Sequence, residues 1–118
     1  MHVEAFREYC LSKKGAGEGF PFDRDTLVFK VIGKMFAIVP LERFPPQANL
    51  KCVPERALEL RERFDGKILP GYHSNKVHWN TLYIEQLPEE LIRELTDHSY
   101  ELVVASLSKK DRRTLEHL

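Results

Sequence analysis

The sequence has little of what fastens a small protein covalently or to a metal. Two cysteines, Cys10 and Cys52, stand in 118 residues, and neither belongs to a C-x-x-C pair. That count excludes a disulfide scaffold and offers no zinc or redox spacing, so both thiols are expected to be reduced and buried. No apolar run approaches the roughly 18 residues of a membrane span, and Met1-His2-Val3-Glu4 brings in an acid before any apolar signal core. The expected compartment is therefore the cytoplasm, with no membrane partner. Net charge is also missing: 18 Lys and Arg face 18 Asp and Glu. A global basic coat for nucleic acid is thus excluded, and any such partner must be met by a local patch.

What is present is ordinary for a globular chain, with 42% hydrophobic and 31% charged residues. The length suits one domain over residues 1–118, expected to be a monomer, and no repeat or low-complexity segment divides it. Val3, Phe6, Tyr9 and Cys10 recur at spacings of three and four, the stripe of an amphipathic helix. The glycines and proline between Lys13 and Asp25 predict a loop. Thr26–Ile32 and Met35–Val39 are rich in β-branched and aromatic residues and read as a hairpin closed by Gly33-Lys34 in a type II′ turn. Ala48–Val53 predicts a third strand. Pro54 suits the first position of a second helix running to Phe64, with Ala57, Leu58, Arg61 and Phe64 on one side and a Glu59–Arg63 pair on the other. A short strand at Lys67–Leu69, a Pro70-Gly71 turn and a strand at His78–Ile84 follow. Leu87-Pro88-Glu89-Glu90 opens a helical region expected to break at Thr96-Asp97. Hairpins in place of regular βαβ units imply an α+β fold, an antiparallel sheet with helices packed on one face.

Chemistry-bearing patterns are few. Gly15-Ala16-Gly17-Glu18-Gly19 lacks the Lys-Ser/Thr of a phosphate-binding loop and carries a carboxylate that would repel phosphate. His73, His78 and His98 show no ligand spacing, so no metal or cofactor is implied. No nucleophile-elbow sequence appears, and the chain is not expected to be an enzyme. The segment from Gly66 to Ile84 stands apart because it contains no acid. It interleaves Lys67, His73, Lys76 and His78 with Tyr72, Trp79, Asn75 and Asn80, the donors and ring faces that contact phosphates and bases. The same residues read equally as a structural corner, with Trp79 in the core and Asn75 closing a turn. A second basic cluster, Lys109, Lys110, Arg112 and Arg113, is expected to follow the last helix.

Pro70-Gly71-Tyr72-His73-Ser74-Asn75-Lys76-Val77-His78-Trp79-Asn80-Thr81 resembles the signature of the MmcQ/YjbR-like family. Shorter matches follow the family's order: Phe20-Pro21-Phe22, Gly33-Lys34-Met35-Phe36, Leu50-Lys51-Cys52, Ser99-Tyr100, Leu102-Val103 and Leu107. The resemblance implies the fold of the bacterial frataxin homologue CyaY. It also implies DNA binding, by analogy with a double-wing arrangement of strands and loops. Carried over by residue, the implied contacts are Lys34 at the hairpin tip, His73, Asn75, Lys76, His78 and Trp79 in the signature, and Lys109, Lys110, Arg112 and Arg113 near the end. Two departures stand out: helix one carries only Glu4 and Glu8 in place of an acidic iron-binding ridge, and Val77 occupies a position that is often basic. The alternative is a non-enzymatic module in which the signature is structural and a nearby groove takes a protein or a small molecule.

Overall fold

The computed structural model describes residues 1–71 and 75–118. In chain order it forms α1 (Val3–Leu11), β1 (Ala16–Gly19), β2 (Thr26–Val31), β3 (Lys34–Pro40), β4 (Gln47–Lys51), α2 (Pro54–Arg63), β5 (Ile68–Pro70), β6 (Trp79–Tyr83), α3 (Glu89–Ala105) and α4 (Lys109–Glu116). The six strands make one antiparallel sheet in the order β1-β2-β3-β4-β6-β5. The α+β expectation holds.

The strand alternation sorts the sheet into two unlike faces. One face carries Phe29, Val31, Ala37, Val39, Ala48, Leu50 and Leu82, and the helices bury Phe6, Cys10, Ala57, Leu60, Ile92, Leu95, Val103 and Leu115 in the same cluster. Phe6, Phe29 and Phe36 meet edge-on or tilted, with centroids 6.2 and 6.4 Å apart, and Phe36 meets Tyr100 at 5.4 Å. On the opposite face Val28, Ile38, Asn49 and Thr81 lie in register across four strands, and all four are buried. Trp79 and Met35 pack with Val28 and Ile38 there. Thr81 Oγ1 donates to Asn49 Oδ1 at 2.7 Å, so the polar half of this row is bonded within itself.

Several expectations need correction. The glycine-rich stretch is not a loop: Ala16–Gly19 pairs with Val28–Val31 as the edge strand β1. The hairpin turn is Ile32-Gly33, with φ of 44° and 78°, because Val31 still pairs with Lys34; positive φ at both central positions marks a type I′ turn, not II′. A register shift beside Lys30 leaves Phe36 as an extra residue in β3. On α2 the buried residues are Ala57 and Leu60, with Arg61 and Phe64 half-buried, whereas Leu58 is exposed. The helix expected to break at Thr96-Asp97 runs on unbroken, since Thr96 Oγ1 donates to Ile92 O at 2.7 Å and Ser99 Oγ crosses to Phe36 O at 2.6 Å. The terminal basic cluster does not trail a helix but forms one, α4, capped by Ser108 accepting from Asp111 N at 3.1 Å.

Candidate functional site

The described part of the signature is a corner tied to α2. Arg61, on the inner side of that helix, donates through Nε to Asn80 Oδ1 at 2.7 Å, and its Nη2 reaches Lys76 O and Trp79 O. Asn80 Nδ2 donates in turn to Ala57 O at 3.3 Å. Asn75 Oδ1 accepts from Val77 N at 2.8 Å, and Asn75 O accepts from the amides of His78 and Trp79, an Asx turn that launches β6. Gly71 N donates to Trp79 O at 2.7 Å, extending the β5–β6 ladder, and a Cβ at Gly71 would stand 2.6 Å from Trp79 Cβ. Glycine is therefore the residue this close approach requires.

These contacts separate the predicted contact residues. Trp79 is 8% exposed and packs over Val28 and Ile38, so its ring offers no stacking face to a base. That burial fits the structural-corner reading of the signature, in which Trp79 belongs to the core. Asn75 spends its carbonyl groups on the turn. Lys76 and His78 are exposed. His73 lies outside the described residues, with Tyr72 and Ser74.

Lys34, which opens β3, is exposed, but its Nζ donates to Ser106 O at the C-terminus of α3 (3.2 Å). Arg112 Nη2 donates to the adjacent Ala105 O at 2.6 Å. Both cations thus cap the negative end of α3 and hold α4 against it. The hairpin tip and the terminal cluster meet there. The remaining cations of α4, Lys109, Lys110 and Arg113, share one outward groove with Thr114, His117 and Leu118, and no acidic side chain among the described residues lines it. The register places the signature at this same end of the sheet: Lys51, at the end of β4, pairs with Trp79 at the start of β6. The half-buried Lys51, the clamp Arg61 and the cap Ser108 were missed in the sequence. Arg61 was legible as an arginine on an inner helix face, and Ser108 as the first residue of a Ser-x-x-Asp capping pattern.

Elsewhere the polar groups hold the helices together. Asp97 on α3 accepts from Tyr9 Oη at 2.5 Å and from Lys13 Nζ, which also sits 4.7 Å from the Tyr9 ring centre. Burial and the Asp97 bond push the Tyr9 phenol up. Burial also raises the thiols of Cys10 and Cys52 and keeps them protonated. Among the described residues no three His, Cys, Asp or Glu side chains stand together as a metal site. Nor is any described helix long and apolar enough to cross a membrane.

Comparison with known proteins gives the family. The YjbR family profile matches residues 11–102. The uncharacterized protein YjbR of Escherichia coli K12 is 34% identical over 119 residues, covering both chains fully. YbdF of Escherichia coli O157:H7, also uncharacterized, is 40% identical over 95 residues, 80% of this chain and 77% of its own. Among solved structures, Deinococcus radiodurans DR2400, a DUF419 domain protein, superposes with a TM-score of 0.89 at 39% identity, covering 97% of this chain and 87% of its own. A Pseudomonas syringae protein superposes at 0.74 with 27% identity, covering 86% and 98%. On the profile match and the full-length likeness to YjbR, the chain belongs to the YjbR family.

Proposed function

We propose that this protein binds DNA in the cytoplasm, as a monomer and without catalysing a reaction, by setting the outward face of α4 and the exposed Lys76 against the phosphate backbone. The observation that carries this reading is the placement of Lys109 and Lys110. They stand in the first turn of α4, where the helix dipole disfavours cations by about 0.3–1 kcal/mol each. Helix stability does not account for them, whereas a polyanion does. Arg113 and His117 continue the same groove. Lysine contacts of this kind position a duplex without reading its sequence. The buried Trp79 supports backbone contact over base stacking.

Fluorescence anisotropy with a labelled duplex, titrated across salt concentrations, tests this. Each phosphate neutralised contributes about −0.9 to the slope of log K against log salt, so the triple substitution Lys109→Gln, Lys110→Gln, Arg113→Gln is expected to flatten the slope by about 2.7. All three side chains are exposed, so the melting temperature is expected to stay at the parental value or rise. An unchanged slope, or no duplex binding by the parent at low salt, overturns the proposal.

A further inference from the structure

The face of the sheet without helices carries a groove of about 490 Å³ along β1 and β2. Its wall is Phe20, half its surface exposed, with Pro21 and Ile32, and its floor is Val28 with the backbone of Gly17 and Gly19. That volume lies in the range of small-molecule sites, which are mostly apolar with a few placed polar groups.

Two charged residues line the groove, Glu18 and Lys30, and by register only Lys30 lies on the Val28 face. It pairs across the ladder with Gly17 and Met35, and no described residue accepts a hydrogen bond from its Nζ. The neighbouring carboxylate does not neutralise it. Glu18 stands opposite Phe29, on the helix face, where Arg7 Nε donates to Oε1 at 2.7 Å and Nη2 to Oε2. That fork also holds the Glu18 carboxyl below its ordinary range, so it stays ionised and committed to Arg7.

The glycines of the floor make a separate point. The chain has six glycines. Gly15, Gly33 and Gly66 have positive φ, and Gly71 faces the Trp79 backbone. Gly17 and Gly19 have neither reason: their φ is ordinary and a Cβ at either would meet nothing within 4 Å. Glycine weakens a strand interior, and its presence there fits a ligand that approaches the backbone closely.

We propose that this groove binds a small planar aromatic carboxylate, its ring lying on the Gly17–Gly19 backbone against Phe20 and its carboxylate on Lys30. The single cation sets a singly charged head, the flat glycine floor sets a planar body, and Phe20 gives the ring an apolar wall to pack on. The groove shares no lining residue with the groove along α4, and the proposal does not rest on DNA binding.

Amide NMR titration of the full chain with 2-naphthoate, and with the neutral 2-naphthamide, tests it. The Gly17 and Gly19 amides are expected to shift saturably with the carboxylate, and the amide is expected to bind at least ten-fold more weakly. Gly17→Leu fills the groove and is expected to abolish the shifts while melting no lower than the parent. Lys30→Met is expected to weaken the carboxylate at least ten-fold and leave the amide unchanged. Duplex binding by Gly17→Leu is expected at the parental level. Absent shifts at millimolar naphthoate, equal binding of both probes, retained binding in Gly17→Leu, or loss of its duplex binding would each overturn the proposal.

Discussion

His98 shows how one side chain links the signature's neighbourhood to pH. On α3, its Nε2 accepts from Val53 N, the residue that precedes α2, at 3.4 Å. Burial first, and then the charge of Arg56, hold the imidazole below its ordinary value near 6.5, while Glu94 and Glu101 pull the other way. A protonated His98 could not accept that bond and would put a cation at the positive end of α2. The folded state thus binds this proton more weakly than the unfolded chain, and its stabilising contribution is present above pH 6.5 and lost as the pH falls through the folded value. Urea unfolding at pH 7.5 and pH 5.5 is expected to show the parent losing more stability on acidification than His98→Gln. Equal losses would mean that His98 does not couple to folding.

Among the elements, those with a full hydrophobic period were legible. Phe6 and Cys10 gave α1, the β-branched runs gave β2 and β3, and Pro54 opened α2 as expected. The failures share a cause, which is that a local rule was overridden by a distant partner. Two glycines within Ala16–Gly19 weaken a strand intrinsically, yet β2 supplies the ladder that holds it. Thr96, Asp97 and Ser99 favour a helix end in isolation, but Ile92, Lys13 and Phe36 satisfy them inside α3. Of the candidate site, the acid-free signature was legible as a distinct segment. The burial of Trp79 was not, because it depends on Val28 and Ile38, more than forty positions away. Helix α4 is the element on which the proposed function rests, and at eight residues it depends on its cap. Ser108→Ala removes the acceptor for Asp111 N and is expected to cost about 1 kcal/mol of stability, with faster amide exchange confined to α4. Ser108→Asp is expected to restore both, since a carboxylate accepts the same bond and suits the positive helix end. Unchanged α4 exchange in Ser108→Ala would show that contact with α3, through Arg112, suffices to hold the helix.

At the scale of the whole molecule, zero net charge resolves into an uneven surface. The sheet end that carries the hairpin tip, the signature and α4 gathers Lys34, Lys51, Lys76, Lys109, Lys110, Arg112 and Arg113. The loops bordering the opposite strand ends carry Asp23, Asp25 and Glu42 against Arg24 and Arg43, and Leu41 N bonds Asp25 O there. A polar distribution of this kind orients a polyanion on approach even when the summed charge is nil. It does not make every cation equivalent. Lys34 donates to Ser106 O and Arg112 to Ala105 O, so both are engaged in holding α3 and α4 together, whereas no described residue accepts from the ammonium of Lys76. Single substitutions therefore separate contact from scaffold. Lys76→Gln is expected to flatten the salt dependence of duplex binding by about 0.9 with an unchanged melting temperature. Lys34→Gln is expected to leave the slope unaltered and to lower stability by about 0.3–1 kcal/mol, the ordinary range for a lost helix-terminus cation. These sites act through different partners, so the Lys76 effect is expected to add to that of the α4 triple variant, giving about 3.6 in all. A slope change at Lys34 equal to that at Lys76 would mean that the hairpin tip leaves α3 to meet the phosphates, and that the basic end rearranges on binding.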